Sequence, residues 1–94
     1  MAIRRIRRPP HAVTLTDGQL TLYEVELSRV PSPAWRAALL RPPASLTSER
    51  YTPELGRLGV DGPRITFRTV PPKLHAWLRR IDQWIAYANS VVKE

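Results

Sequence analysis

Two histidines, eight carboxylates, five serines and four glycines are the residues of this 94-residue chain from which chemistry would have to be built. A metal site needs His, Cys, Asp or Glu in clusters. The chain has no cysteine and only His11 and His75, far apart and neither beside a second ligand type. Both read as solvated or hydrogen-bonded histidines, His11 at a strand start and His75 on the polar side of a helix's first turn. Glu24 and Glu26 alternate with apolar residues, so they share a strand face as the paired carboxylates of acid and base catalysis or hydrolysis do. A solvated face paired across the sheet to Arg64 or Arg68 explains them more simply. Ser28, Ser32, Ser45, Ser48 and Ser90 have no nucleophile elbow or triad partner around them, and capping and loop roles suffice. The glycines lie in turns and at Gly56 and Gly59, in no pattern that cradles a phosphate. The expectation is a non-enzymatic chain with no catalytic residue, no metal and no cofactor.

Binding chemistry has more to work with. The net charge is +7, from 15 basic against eight acidic residues. Thirteen of the basic residues are arginine, whose planar donor fork suits phosphates and carboxylates and stacks on aromatic rings. Arg4, Arg5, Arg7 and Arg8 crowd the first ten residues with no acid among them, so more than half of the excess sits there. The absence of cysteine excludes a disulfide scaffold and suits a reducing compartment. No apolar run has the length of a signal peptide or a membrane span. A soluble, cytoplasmic protein away from membranes is expected.

These residues need elements to position them, and the length allows one core. Residues 1–10 close on Pro9-Pro10 and read as a basic arm, with residues 11–94 as a single domain. Ile3 and Ile6 offer ways to pin the arm to the body or to let it add an edge strand. His11 to Thr16, Asp17-Gly18 and Gln19 to Leu27 read as a hairpin, since an Asp-Gly pair supplies the positive φ angles of a two-residue turn. Such a turn sets Leu15 opposite Leu20 and Val13 opposite Leu22. The apolar phase then reverses near Leu22 to Glu24, which calls for a β-bulge or a strand covered on both faces.

Ser32-Pro33 reads as a cap and first turn of a short helix through Trp35, Leu39 and Leu40, stopped by Pro42-Pro43. Pro42 to Pro53 is a loop. Arg57 to Val60, the Asp61-Gly62-Pro63 turn and Arg64 to Val70 form a second hairpin with Ile65 and Phe67 inward. From Pro71 a long helix places Leu74, Trp77, Leu78, Ile81, Trp84, Ile85, Ala88, Val91 and Val92 at i, i+3, i+4 spacing. The plan is α+β, a small antiparallel sheet of two hairpins packed against a short helix and a long C-terminal amphipathic helix, in order ββαββα. The halves echo each other, Arg29-Val30-Pro31 before one Trp-bearing helix and Thr69-Val70-Pro71 before the other.

Two binding readings follow. The first is a protein-interaction module that self-associates as a homodimer through the border of the long helix, Arg80, Trp84, Tyr87 and Val91. Trp, Tyr and Arg are the types enriched at interface hot spots. On this reading Trp84→Ala or Tyr87→Ala weakens assembly more than folding; the competing reading is that the border closes over Pro42 to Pro53 of its own chain. The second is nucleic-acid binding through Arg4, Arg5, Arg7 and Arg8, aided by Arg64, Arg68, Arg79 and Arg80 along phosphates or a minor groove. Neither a helix-turn-helix nor an RNA-recognition signature accompanies those cations.

Overall fold

A computed structural model of the chain describes residues 2–6, 10–15 and 20–92, and of 13–15 the backbone alone. Its elements run β1 (His11–Leu15), β2 (Thr21–Glu26), α1 (Pro33–Leu40), a 3-10 turn (Ala44–Leu46), β3 (Gly59–Asp61), β4 (Arg64–Thr69), a second 3-10 turn (Pro71–Lys73) and α2 (Leu74–Val91). The four strands form one antiparallel sheet in the order β1-β2-β4-β3. This is the ββαββα, α+β architecture that the pattern of the sequence predicts. Among the described residues no helix is long and apolar enough to cross a membrane.

The strand alternation decides which face is covered. Thr21, Tyr23 and Val25 on one central strand, Leu27 just past its end, and Ile65, Phe67 and Thr69 on the other are buried, while the residues between them are open to varying degrees. Cross-strand register puts Tyr23 against Phe67 and Val25 against Ile65, and the first pair stacks at 5.7 Å between ring centroids. Both helices lie on this face. Trp35 and Leu39 of α1 and Trp77, Leu78, Ile81, Trp84, Ile85 and Ala88 of α2 complete the core. Each large aliphatic or aromatic side chain buried in this way contributes roughly 1.5–3 kcal/mol before entropy is subtracted.

Local chemistry starts and stops the helices. Ser32 Oγ accepts the Trp35 amide at 3.2 Å, Pro33 occupies the first turn where its missing N–H costs nothing, and α1 ends just before Pro42-Pro43. In the second hairpin Asp61 faces Arg64 across Gly62-Pro63, with Gly62 at φ +57° followed by the fixed φ of proline, the pattern of a type II′ turn. The strand before it begins at Gly59 and not at Arg57, because Arg57 sits at φ 48°, a left-handed conformation that interrupts extended chain.

The first hairpin departs from its expected register. Leu15 faces Thr21 and Thr14 faces Leu22, and a shift between Ala12 and Thr14 returns the pairing to Ala12 with Tyr23 and His11 with Glu24. The irregularity falls opposite the Leu22–Tyr23 step, with the extra residue, Val13, carried by the edge strand and not by β2. The reason is that β2 is held on both sides: its phase is fixed by six paired positions on β4, so the extra residue goes to the strand with a free edge. Asp17 and Gly18 lie outside the described residues. The sheet order also sets the two hairpins back to back. The sequence offset relating Val30-Pro31 to Val70-Pro71 also relates Val25 to Ile65, which are direct cross-strand partners.

The first residues run along the end of β2. Ile6 N–H donates to Glu26 O at 2.8 Å, Ser28 N–H donates to Arg4 O at 2.8 Å, and Arg5 bridges antiparallel to Leu27. Ile3, at 1% exposure, is one of the most deeply buried side chains in the chain. The isoleucine thus pins residues 2–6 to the core.

Candidate functional site

The long helix has two flanks, and they carry different chemistry. One flank meets the segment between α1 and β3. Tyr51 from that segment sits edge-on to Trp77 at 5.3 Å between centroids, and the Arg80 guanidinium lies over the Tyr51 ring at 5.5 Å from its centroid. Trp84 lies beneath, edge-on to Trp77 at 6.2 Å, and its indole N–H donates to the Leu46 carbonyl at 2.8 Å. Trp84 is 0% exposed. Its placement at an exposed border is therefore corrected: the 3-10 turn of its own chain covers it, because a buried indole N–H needs an acceptor and Leu46 O supplies one. What remains at the surface is half-buried Arg80, half-buried Tyr87 and Val91, which is 53% exposed on the last turn.

The opposite flank holds the N-terminal segment. Asn89 Nδ2 donates to the Ile3 carbonyl at 2.6 Å, and its Oδ1 accepts both the Ile3 amide at 3.1 Å and the Trp35 indole N–H at 2.9 Å. Two turns earlier, Asp82 takes the Arg5 guanidinium in a fork, Nε to Oδ1 at 2.7 Å and Nη2 to Oδ2 at 2.9 Å. These hydrogen bonds to Asp82 raise the Arg5 pKa above its ordinary value; burial pulls it down and the Asp82 charge adds to the rise. A groove of about 360 Å³ lined by Ile3, Arg4, Arg5, Asp82, Ile85 and Asn89 runs along this seam.

The sheet's outer face is a mosaic of both charges. Arg64 lies cross-strand from both Glu26 and Asp61, and its Nε approaches Glu24 at 3.6 Å. Arg68 faces Leu22, and His11 faces Glu24. The paired carboxylates Glu24 and Glu26 are thus a solvated strand face answered by an arginine across the sheet. No group of three or more His, Cys, Asp or Glu residues able to hold a metal occurs among the described residues.

No family model, curated protein or solved structure matches the chain. The site rests on its own geometry.

Among the described residues, Arg64 and Arg68 stand on the outer face of β4, and Arg4 and Arg5 lie on the segment that pairs with the end of β2. Arg5 is held by Asp82, Arg64 is exposed with Glu24 at 3.6 Å, Arg4 is exposed beside Ser28, and Arg68 is half-buried on the sheet's outer face. Arg7 and Arg8 lie outside the described residues. Sequence reasoning missed Asp82 and Asn89, both on the border between the apolar and polar faces of α2. A signal was available: they stand seven positions apart, two helical turns, so they form one polar row beside the apolar stripe, able to take up an extended segment.

Proposed function

We propose that this chain is a non-enzymatic, cytoplasmic protein-interaction module that self-associates as a homodimer through the flank of α2 carrying Arg80, Tyr87 and Val91. The observation that supports it is the exposure of Val91, at 53%, on the flank that also carries half-buried Tyr87 and the Arg80–Tyr51 stack. An aliphatic residue beside an aromatic and an arginine is the composition of interface centres, where rigid rings and guanidinium planes give contact area at low entropic cost. The stacked arginine is also held in place in advance, which reduces what association must order. From Arg80 to Val91 the strip runs about 16 Å along the helix, enough for the centre of an interface and short of a whole one.

The experiment is light scattering across a concentration series, with wild type beside Tyr87→Ala and Val91→Asp. A concentration-dependent dimer that either variant weakens, with folding intact, supports the reading. A wild type that stays monomeric at the highest soluble concentration removes it. Nucleic-acid binding is the second reading, favoured by exposed Arg4 and by the basic excess of the first ten residues, and its test is a salt-dependent titration.

A further inference from the structure

A second cavity opens on the outer side of the N-terminal segment. Residues 4–6 run antiparallel to the end of β2, with Arg4 opposite Ser28, Arg5 opposite Leu27 and Ile6 opposite Glu26. Ile3 is buried in the core and Arg4, the next residue, is exposed. The Arg4 main chain is fixed on both sides. Its amide donates to Ser28 Oγ at 3.1 Å, and its carbonyl accepts the Ser28 amide at 2.8 Å. At Ser28 the chain bends, and half-buried Arg29 comes to the same cavity, which has a volume of about 490 Å³ and is lined by Ala2, Arg4, Ser28 and Arg29. Sites for small ligands run from roughly 300 to 1,000 Å³.

The charges of that lining have one sign. It holds two arginines and, among the described residues, no carboxylate. Among those residues nothing engages the Arg4 guanidinium in a hydrogen bond or an ion pair. Ser28 Oγ accepts the Arg4 amide, and its own proton is left to donate. A guanidinium has donors and no acceptor, so an oxyanion satisfies this set where a cation does not. Each guanidinium fork spans two oxygens, and the hydroxyl calls for one more. A carboxylate has only two oxygens and one charge; a phosphomonoester has three terminal oxygens and up to two charges. We propose that the cavity between Arg4 and Arg29 binds a phosphomonoester dianion, the two guanidiniums forking its terminal oxygens and Ser28 Oγ donating to one of them. The α2 flank assigned to self-association takes no part, so this site does not rest on that reading. A nucleic-acid backbone phosphate, with two free oxygens and one charge, suits it less well.

The test is a titration of the full chain with inorganic phosphate, adenosine 5′-monophosphate and dimethyl phosphate, followed by backbone amide chemical shifts. Constant ionic strength removes general screening. At about pH 7.5 a phosphomonoester, with its second pKa near 6, is a dianion. Phosphate and the nucleotide are expected to shift the Arg4, Ser28 and Arg29 amides saturably, with a dissociation constant on the order of 1 mM, and dimethyl phosphate about tenfold more weakly. A nucleotide that binds tighter than phosphate identifies an organic monoester as the ligand, whereas equal affinity identifies the phosphoryl group alone; both support the site. Arg4→Ala keeps the Ile3 and Arg5 anchors and should weaken phosphate about tenfold, with Arg4→Lys recovering part of the loss because it restores the charge without the fork. Arg50→Ala, at an exposed arginine between α1 and β3, should change nothing. The proposal is overturned if those amides show no saturable shift up to about 50 mM phosphate. It is equally overturned if dimethyl phosphate binds as well as phosphate, if Arg4→Ala binds like wild type, or if Arg50→Ala costs as much as Arg4→Ala.

Discussion

Asn89 grips the main chain of Ile3 from both ends of its carboxamide, donating to the carbonyl at 2.6 Å and accepting from the amide at 3.1 Å. It does for residue 3 what a neighbouring strand would do, and its oxygen also takes the Trp35 indole N–H at 2.9 Å. A single polar side chain on α2 thereby ties together the chain's beginning, α1 and its own helix. Buried polar groups of this kind matter more through the cost of leaving their partners unpaired than through the bonds themselves.

Asn89→Ala is expected to cost about 2–4 kcal/mol, since it strands the Trp35 indole N–H and both backbone groups of Ile3. For a chain of this size the melting temperature falls by about 10–20 °C. Asn89→Asp keeps the acceptor but sets a second oxygen against the Ile3 carbonyl, so it does not rescue. Thermal unfolding followed by circular dichroism measures both, and an Asn89→Ala loss under about 0.5 kcal/mol contradicts the role given to this residue.

Much of this fold is legible in the sequence because period and punctuation are local. The cap at Ser32, the Pro42-Pro43 stop, the Gly62-Pro63 turn and the i, i+4 stripe of α2 each declare themselves within a few residues. The register of the first hairpin is not local: β4, whose partners lie 38 to 48 residues further on, fixes the phase of β2 and pushes the bulge to Val13. The candidate site fails to show for the same reason. Nothing near Trp84 in the sequence shows that Leu46 accepts its N–H, and nothing near Arg5 indicates Asp82. The row of Asp82 and Asn89 beside the apolar stripe is legible as a period, but which distant groups it pairs with leaves no local trace.

Gly56 tests how tightly the aromatic cluster is packed. A Cβ there would lie 2.7 Å from Trp77 Cζ3 and 2.8 Å from its Cη2, on a ring already bounded by Tyr51, Phe67 and Trp84. A wedged indole cannot swing clear. Gly56→Ala is expected to destabilise by about 1–3 kcal/mol. In a Trp77→Phe background the shorter ring leaves room and the added cost shrinks, so denaturant melts of the four proteins in a double-mutant cycle should show coupling between the two sites. Additive losses would mean that the ring is not what the methyl meets.

Trp84 and Tyr87 separate folding from assembly. Trp84→Ala removes a fully buried indole and leaves the Leu46 carbonyl without its donor, a loss of about 3–5 kcal/mol that should unfold much of the population. Tyr87→Ala touches a half-buried position and should leave stability within about 1 kcal/mol. If self-association runs through this flank, Tyr87→Ala lowers the dimer fraction in light scattering while its melting curve stays near that of wild type. Equal destabilisation by both substitutions would assign Tyr87 to the core.

The Arg5 guanidinium is expected to contribute the same stability from neutral to strongly alkaline pH. Its folded-state pKa is raised above the ordinary value by the Asp82 hydrogen bonds, so its contribution is fully present below the unfolded pKa and lost only as pH climbs through the folded one. That window lies beyond the pH at which proteins are normally studied. Arg5→Lys loses the fork and brings in an ammonium that titrates near 10.4, so this variant should lose stability above about pH 10 where wild type does not. Urea melts at a series of alkaline pH values compare the two slopes.

The nucleic-acid reading needs a cleaner cut than removal of residues 1–10, because that deletion also takes Ile3 out of the core and Arg5 from Asp82. Replacing Arg4, Arg7 and Arg8 by alanine keeps both anchors and removes three charges from the first ten residues. If those cations follow phosphates, affinity for duplex or single-stranded DNA falls steeply at low salt. The slope of log K against log salt then flattens by about 0.9 per lost contact on duplex and about 0.7 on single strands. A loss of affinity with an unchanged slope would point to a shape change rather than to phosphate contacts. Equal affinity of the triple variant and wild type at low salt would leave the basic segment with no part in nucleic-acid binding, and the self-association reading would stand alone.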